Sequence, residues 1–331
     1  MKNKKKSSPV QLNITTTVAK SPFQLELSKY ECPKTLVMDE LKWKYLVRSV
    51  IRGKNVLLLG ATGSGKNHAA QTLTKVLNRE DNYHAYNLGS CQDARTSLIG
   101  NTQFDKSTGT LFKESSFIKA IRTPNAIIIL DEISRCTHDG VNILMSVLDD
   151  LQRYVRLDEK NDNEVVKVAQ GVTFIATANV GNEYTATRVM DRALLNRFPV
   201  KIEMSPLSKD PEFELLKNRF NISDENQLDT LNAIIEISCH TREQIKLEES
   251  KLTNFISTRS TVEMTELIID GFSLLEIAEM TIYPNFSEDG GMDNERTYMK
   301  QLVQKYVKSE TDDKLFHDPV MPVDDPEDAP F

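Results

Sequence analysis

The chain is 331 residues long, 27% of them charged, with a formal net charge of -7 and a mean hydropathy of -0.40. That length can bury a sizeable core as one large or two medium domains, while the polarity and the lack of any run near the ~18 apolar residues of a spanning helix exclude a membrane protein. Residues 309–331 hold eight carboxylates and one lysine, so the whole negative excess sits there; the rest is balanced and gives no global signature of a nucleic-acid binder.

The N-terminus, MKNKKKSSPV, places four lysines in its first six residues without an apolar signal core. This argues against a secretory signal and for a solvated basic arm, a candidate contact for nucleic acid or an acidic partner. Cys32, Cys91, Cys136 and Cys239 show neither CxxC pairing nor metal-ligand spacing and read as reduced, cytoplasmic thiols.

From Leu36 to about Pro206, apolar runs alternate with helical patterns, the signature of a parallel sheet covered on both faces. Strands are expected at Val56–Leu59, His84–Leu88, Ala126–Leu130, Val172–Thr177 and Val200–Met204. After the first comes GATGSGKN, residues 60–67, in the strand–loop–helix context of a phosphate-binding P-loop. Gly60, Ala61, Thr62, Gly63, Ser64 and Gly65 would turn backbone N–H groups onto phosphate oxygens, with Lys66 on the terminal phosphates. Asn67 then stands where a Ser or Thr hydroxyl normally holds Mg²⁺, followed by His68 at the start of the helix. An amide oxygen can coordinate Mg²⁺, but the side chain is longer than a hydroxyl and carries an NH₂ with nothing to offer a cation. Nucleotide binding is thus plainly signalled, and the rate of hydrolysis is left open.

The third strand ends in Asp131 and Glu132 (AIIILDE), a Walker B pattern in which Asp131 orients Mg²⁺ and Glu132 polarises the attacking water. The competing reading is that both carboxylates merely cap the next helix. The fourth strand runs into Asn179, placed to hydrogen-bond the water or the terminal phosphate. DRALLNRF, residues 191–198, sets Arg192 and Arg197 near a helix end, too far along the chain for their own P-loop but able to reach a neighbour's, as an arginine finger does. Two segments read as hairpins: Phe104–Phe112, around Gly109, and Arg153–Gln170, whose apolar alternation brackets the polar tip DEKNDNE. Plain surface loops are the alternative for both. Beyond Pro206 helical patterns follow at Pro211–Phe220, Leu228–Ile245, Val262–Ile282 and Asn294–Lys308. The tail from 309, rich in acid and proline, cannot bury a core.

As an ordered set, GATGSGKN, IIILDE, TAN, ALLNRF and ISTRS over roughly Leu36–Ile282 resemble an AAA+ ATPase, and within that class the MoxR and cobalt-chelatase ATPase-subunit branch, also grouped as dynein-related. The resemblance implies an α/β P-loop NTPase fold with a five-stranded parallel sheet and helices on both faces, followed by a small all-α lid. It implies a ring, usually hexameric, with ATP and Mg²⁺ at each subunit boundary. By the same resemblance Asn179 is sensor 1 and Arg259, in ISTRS, is sensor 2, with a plain core salt bridge as its alternative. Arg197 is the first choice for the finger, with Arg192 and Arg188 as competitors, and the first hairpin faces the pore. The organisation expected is a basic arm and lead-in (1–35), an αβα core (36–206), a helical lid (207–308) and an acidic, disordered tail (309–331). The functions implied are remodelling of a protein partner, often one with a von Willebrand A-type domain, or assisted metal insertion. A nucleotide-binding scaffold with hydrolysis impaired by Asn67 and a nucleic-acid motor are the alternatives.

Overall fold

Asp39 opens a helix by accepting hydrogen bonds from the Leu41 and Lys42 amides, satisfying two of the donors a helix start leaves free. Helix α1 (Glu40–Ile51) buries Trp43, Leu46, Val47 and Val50. The computed structural model describes residues 26, 27, 29–105, 109–158, 160, 164–179, 190–247, 249–291 and 294–307. The basic arm, the acidic tail and Arg188 lie outside them. Next come β1 (Val56–Leu59), α2 (Lys66–Val76), β2 (Tyr83–Asn87), α3 (Ala94–Leu98) and a hairpin of β3 (Gly100–Asp105) and β4 (Gly109–Glu114). Helix α4 (Ser116–Arg122), β5 (Ile127–Asp131), α5 (His138–Val147) and a second hairpin of β6 (Tyr154–Leu157) and β7 (Glu164–Lys167) follow, then β8 (Thr173–Ala178), α6 (Arg192–Asn196) and β9 (Val200–Glu203).

Five strands form one parallel sheet in the order β2-β5-β8-β1-β9, with Val56 of β1 opposite Ile175 on one side and Val200 on the other. Side chains alternate across a strand. On β5, Ile127 and Ile129 therefore face α1 and α2, packing with Trp43, Val50 and Leu73, while Ile128 and Leu130 face α4 and α5, packing with Phe117, Ile118 and Leu144. Burial on both faces is why these strands read as unbroken apolar runs. All five strands end at one edge of the sheet, where α/β proteins place ligands. The sheet expected from the sequence is present, with β2, β5 and β8 offset by one residue and β9 one residue shorter.

Both expected hairpins exist as antiparallel pairs, Gly100 opposite Glu114 and Tyr154 opposite Lys167. The first projects Phe104 and Leu111 into solvent, 77% and 60% exposed.

The C-terminal region is helical: α7 (Lys209–Phe220), α8 (Glu225–Gln244), α9 (Thr258–Ile269), α10 (Leu274–Ile277) and α11 (Glu295–Gln304) enclose a second core around Leu231, Ile235, Met264 and Met299. One expectation fails here. The continuous helical pattern across Val262–Ile282 is broken, because α9 stops at Ile269 and Gly271 adopts φ 91, a left-handed turn that costs glycine little. Ser273 then restarts the chain with a capping box, its hydroxyl accepting from the Glu276 amide and the Glu276 carboxylate from the Ser273 amide; those local bonds compete with helix continuation. No helix among the described residues is long and apolar enough to cross a membrane.

Candidate functional site

At the C-terminal edge of the sheet, a cavity of about 540 Å³ is lined by the loop after β1, the ends of β5 and β8, the segment before α1 and two helices of the C-terminal region. Thr62, Gly63, Ser64, Gly65, Lys66, Asn67 and His68 all line it, as do Asp131, Glu132, Asn179 and Arg259. Gly60 and Ala61 enter through their carbonyls, which accept hydrogen bonds from Lys66 Nζ at 2.9 and 2.7 Å.

The glycine backbone is needed at two places. At Gly60, φ 155, a Cβ would lie 2.2 Å from the Met204 carbonyl oxygen, and at Gly63, φ 75, 2.6 Å from Ser257 Cβ. The second contact brings the start of α9 directly against the loop, which is how Arg259, remote in sequence, reaches the cavity. Arg259 makes no ion pair among the described residues, so the core salt bridge considered for it is not found there. The Lys66 ammonium is pushed down to about 8, chiefly by burial; Asp131 opposes that shift, Arg259 adds to it, and Glu132 opposes it.

Asp131 does not cap a helix. Its Oδ1 accepts from the Thr177 hydroxyl and its Oδ2 accepts from Asn67 Nδ2 at 2.9 Å. With its NH₂ turned to Asp131, Asn67 keeps Oδ1 buried without a partner, and an unsatisfied buried acceptor is costly. Oxygen is what Mg²⁺ prefers. The donor set therefore fits a hard cation: Asn67 Oδ1 and Asp131 would hold it, with substrate phosphates completing the shell. Among the described residues there is no group of three or more His, Cys, Asp or Glu for an all-protein site.

Glu132 sits at φ 54 with no helix-capping bond from its side chain, an unfavourable conformation for a residue with a Cβ. Its amide donates to Thr177 Oγ1 at 3.1 Å and its Oε2 lies 3.4 Å from Arg135 Nη1. Gly89 leaves room for that carboxylate: a Cβ there would be 2.2 Å from Oε2. Thr177, Gly89 and Arg135 were not singled out from the sequence, nor were Thr35, Leu36, Val37, Leu207, Leu215 and Arg219, which wall the cavity. His68 is tied to that wall, with Nε2 3.1 Å from the Thr35 carbonyl oxygen.

Arg197 and Arg192 do not line this cavity. Arg197 ends α6 with its Nε donating to the Met145 carbonyl at 3.4 Å and its Nη2 paired to Asp149 at 3.1 Å. Its own carbonyl accepts from buried Asn55 at 3.0 Å. Arg192 is exposed in the first turn of α6.

A pH dependence follows from Lys66. Its folded pKa is lowered, so the ammonium is lost as pH rises through about 8. Affinity for a fluorescent ATP analogue is expected to fall above that pH, by up to about tenfold per unit, with the slope absent in Lys66→Met; titration by fluorescence anisotropy checks it.

Residues 55–198 match the AAA domain, dynein-related subfamily. A protein of Thauera aromatica named "Putative chaperone BssE" is 32% identical over 227 residues, 67% of this chain and 72% of its own length. The uncharacterised protein SSP1341 of Staphylococcus saprophyticus is 35% identical over 176 residues, 52% of this chain and 63% of its own. A crystal structure of a "putative ATPase" from Cytophaga hutchinsonii covers 86% of this chain and 92% of its own with a TM-score of 0.42 and 17% identity, a likeness too loose to carry weight. With a P-loop, two strand-end carboxylates and a helical region closing over them, the chain belongs to the dynein-related AAA ATPase family.

Proposed function

We propose that this chain binds ATP with Mg²⁺ in the cavity between sheet and helical region and hydrolyses it at the subunit boundaries of a ring, using the cycle to remodel a protein partner. The observation that carries this reading is the convergence of Lys66, Asn67, Asp131, Glu132, Asn179 and Arg259 on one cavity. Lys66 neutralises the terminal phosphates, Asn179 orients water or the γ-phosphate, and Glu132 accepts the proton as water attacks. A bound Mg²⁺ would draw charge from the phosphate oxygens. Because Arg197 does not line its own cavity and is held by Met145 and Asp149, its use is assigned to a neighbour's γ-phosphate, in a ring of six or a similar number. The name of the Thauera relative supports protein remodelling over metal insertion, and a partner with a von Willebrand A-type domain suits this branch. The balanced charge outside the tail speaks against a nucleic-acid motor.

The test is subunit mixing. Arg197→Ala alone and Glu132→Gln alone are expected to be inactive, while a mixture recovers measurable ATP turnover at boundaries where an intact Arg197 meets an intact Glu132. No recovery at any ratio would remove Arg197 from the role.

A second reading, a nucleotide-binding subunit with slow turnover, is favoured by the Asn67–Asp131 hydrogen bond, which engages the carboxylate that should orient Mg²⁺. Asn67→Thr is expected to raise kcat about three- to tenfold, the equivalent of one hydrogen bond's worth of barrier, and to lower the Mg²⁺ concentration needed for half-maximal rate. Equal, negligible rates for both proteins would leave only the binding role.

A further inference from the structure

Deep in the helical region Glu212 is fully buried and Arg242 is 5% exposed. Their carboxylate and guanidinium pair twice, at 2.5 and 3.0 Å. Such a pair is a poor choice if packing is its only task, because well-packed apolar side chains of similar volume hold helices together as well or better. What apolar groups cannot do is cap backbone carbonyls. Arg242 caps two: Nη1 donates to Leu207 at 3.0 Å and Nε to Ile256 at 2.7 Å.

Both carbonyls lie in the connections that meet the cavity rather than in the helices around the pair. Leu207 belongs to the segment leaving β9 and itself lines the cavity. Ile256 is followed by Ser257, which abuts Gly63 of the P-loop, and then by Thr258 and Arg259 on the cavity wall. The same cluster grips the first turn of α9 a second time, since Thr261 donates to Glu212 Oε1 at 2.6 Å, and Thr241 accepts from the Ile256 amide at 3.0 Å. A rigid fork with donors on three nitrogens makes four bonds here, to two carbonyls and both carboxylate oxygens, more than the three N–H donors on lysine's one nitrogen can make.

We infer that Arg242, oriented by Glu212, is a positioning residue for nucleotide: it sets the approach of Arg259 and Leu207 to the P-loop, and so couples cavity occupancy to the placement of the helical region. This rests on the reading of the cavity as an ATP site.

The test uses the full chain and the dissociation constant of N-methylanthraniloyl-ATP, with thermal melting alongside. Arg242→Lys is expected to weaken binding about tenfold and Arg259→Ala by a similar factor, as for a lost charge-assisted contact. If Arg242 acts through Arg259, the double variant is about as weak as Arg259→Ala alone rather than about a hundredfold weaker, because coupled residues are non-additive. Met299→Ala, a core truncation in α11 outside the hydrogen-bonded cluster of the pair, should lower the melting temperature and leave the dissociation constant unchanged. Wild-type affinity in Arg242→Lys, multiplicative losses in the double variant, or an equal loss in Met299→Ala would each overturn the assignment. Lys66→Ala separates the levels: if it too binds like wild type, the ATP reading has failed and the positioning role falls with it.

Discussion

Glu132→Gln is expected to cut ATP turnover by about 10²–10⁴-fold, the usual worth of a general base, while changing the affinity for an ATP analogue less than twofold. The two effects separate because the carboxylate is the proton acceptor, whereas binding rests on Lys66 and the loop backbone. Shape should survive the change. Glutamine keeps the length of the side chain, the backbone amide still donates to Thr177, and the space beside Gly89 is the same. Single-turnover kinetics with radiolabelled ATP, beside equilibrium binding, measure both quantities. A Gln variant that turns over at a tenth of the wild-type rate or better would move the base to another residue.

The largest stability effect is expected at Glu212. Glu212→Ala leaves the Arg242 guanidinium, 5% exposed, without its counter-charge and Thr261 with only the Thr258 carbonyl to accept from it, so the loss should be about 3–5 kcal/mol. Urea denaturation followed by circular dichroism gives the value. Adding Arg242→Met to Glu212→Leu removes the uncompensated charge and should recover part of the loss, although the Leu207 and Ile256 carbonyls then lack a donor. A cost below about 1 kcal/mol for Glu212→Ala would mean that water reaches the pair.

The core sheet was legible in the chain because each cue is local. Ile127–Leu130 is an uninterrupted apolar run, and an uninterrupted run is what a strand buried on both faces must be. The P-loop glycines are equally local, since the turn they make is set by a few consecutive dihedral angles. The break at Gly271 is the reverse case. Val262–Ile282 keeps helical periodicity through the turn, and Ser273 with Glu276 outweighs it by offering the backbone a nearer partner. That pair is itself a local capping signal in the sequence, one that competes with the periodicity running through it.

What residue order alone decided was the set of chemical parts: a phosphate cradle, a lysine, an amide where a hydroxyl is usual, two carboxylates at a strand end, and arginines on two later helices. Folding decided which parts meet. The Asn67 amide pairs with Asp131 across 64 residues, Asp131 meets Thr177 on the neighbouring strand, Gly89 makes room for Glu132, and Ser257 brings Arg259 over Gly63. Arg197, by contrast, is held on Met145 and Asp149, away from the cavity. Hydrogen bonds depend on direction and on distances of about 3 Å, and residues this far apart in the chain acquire neither until the sheet is paired and the second core has packed against it.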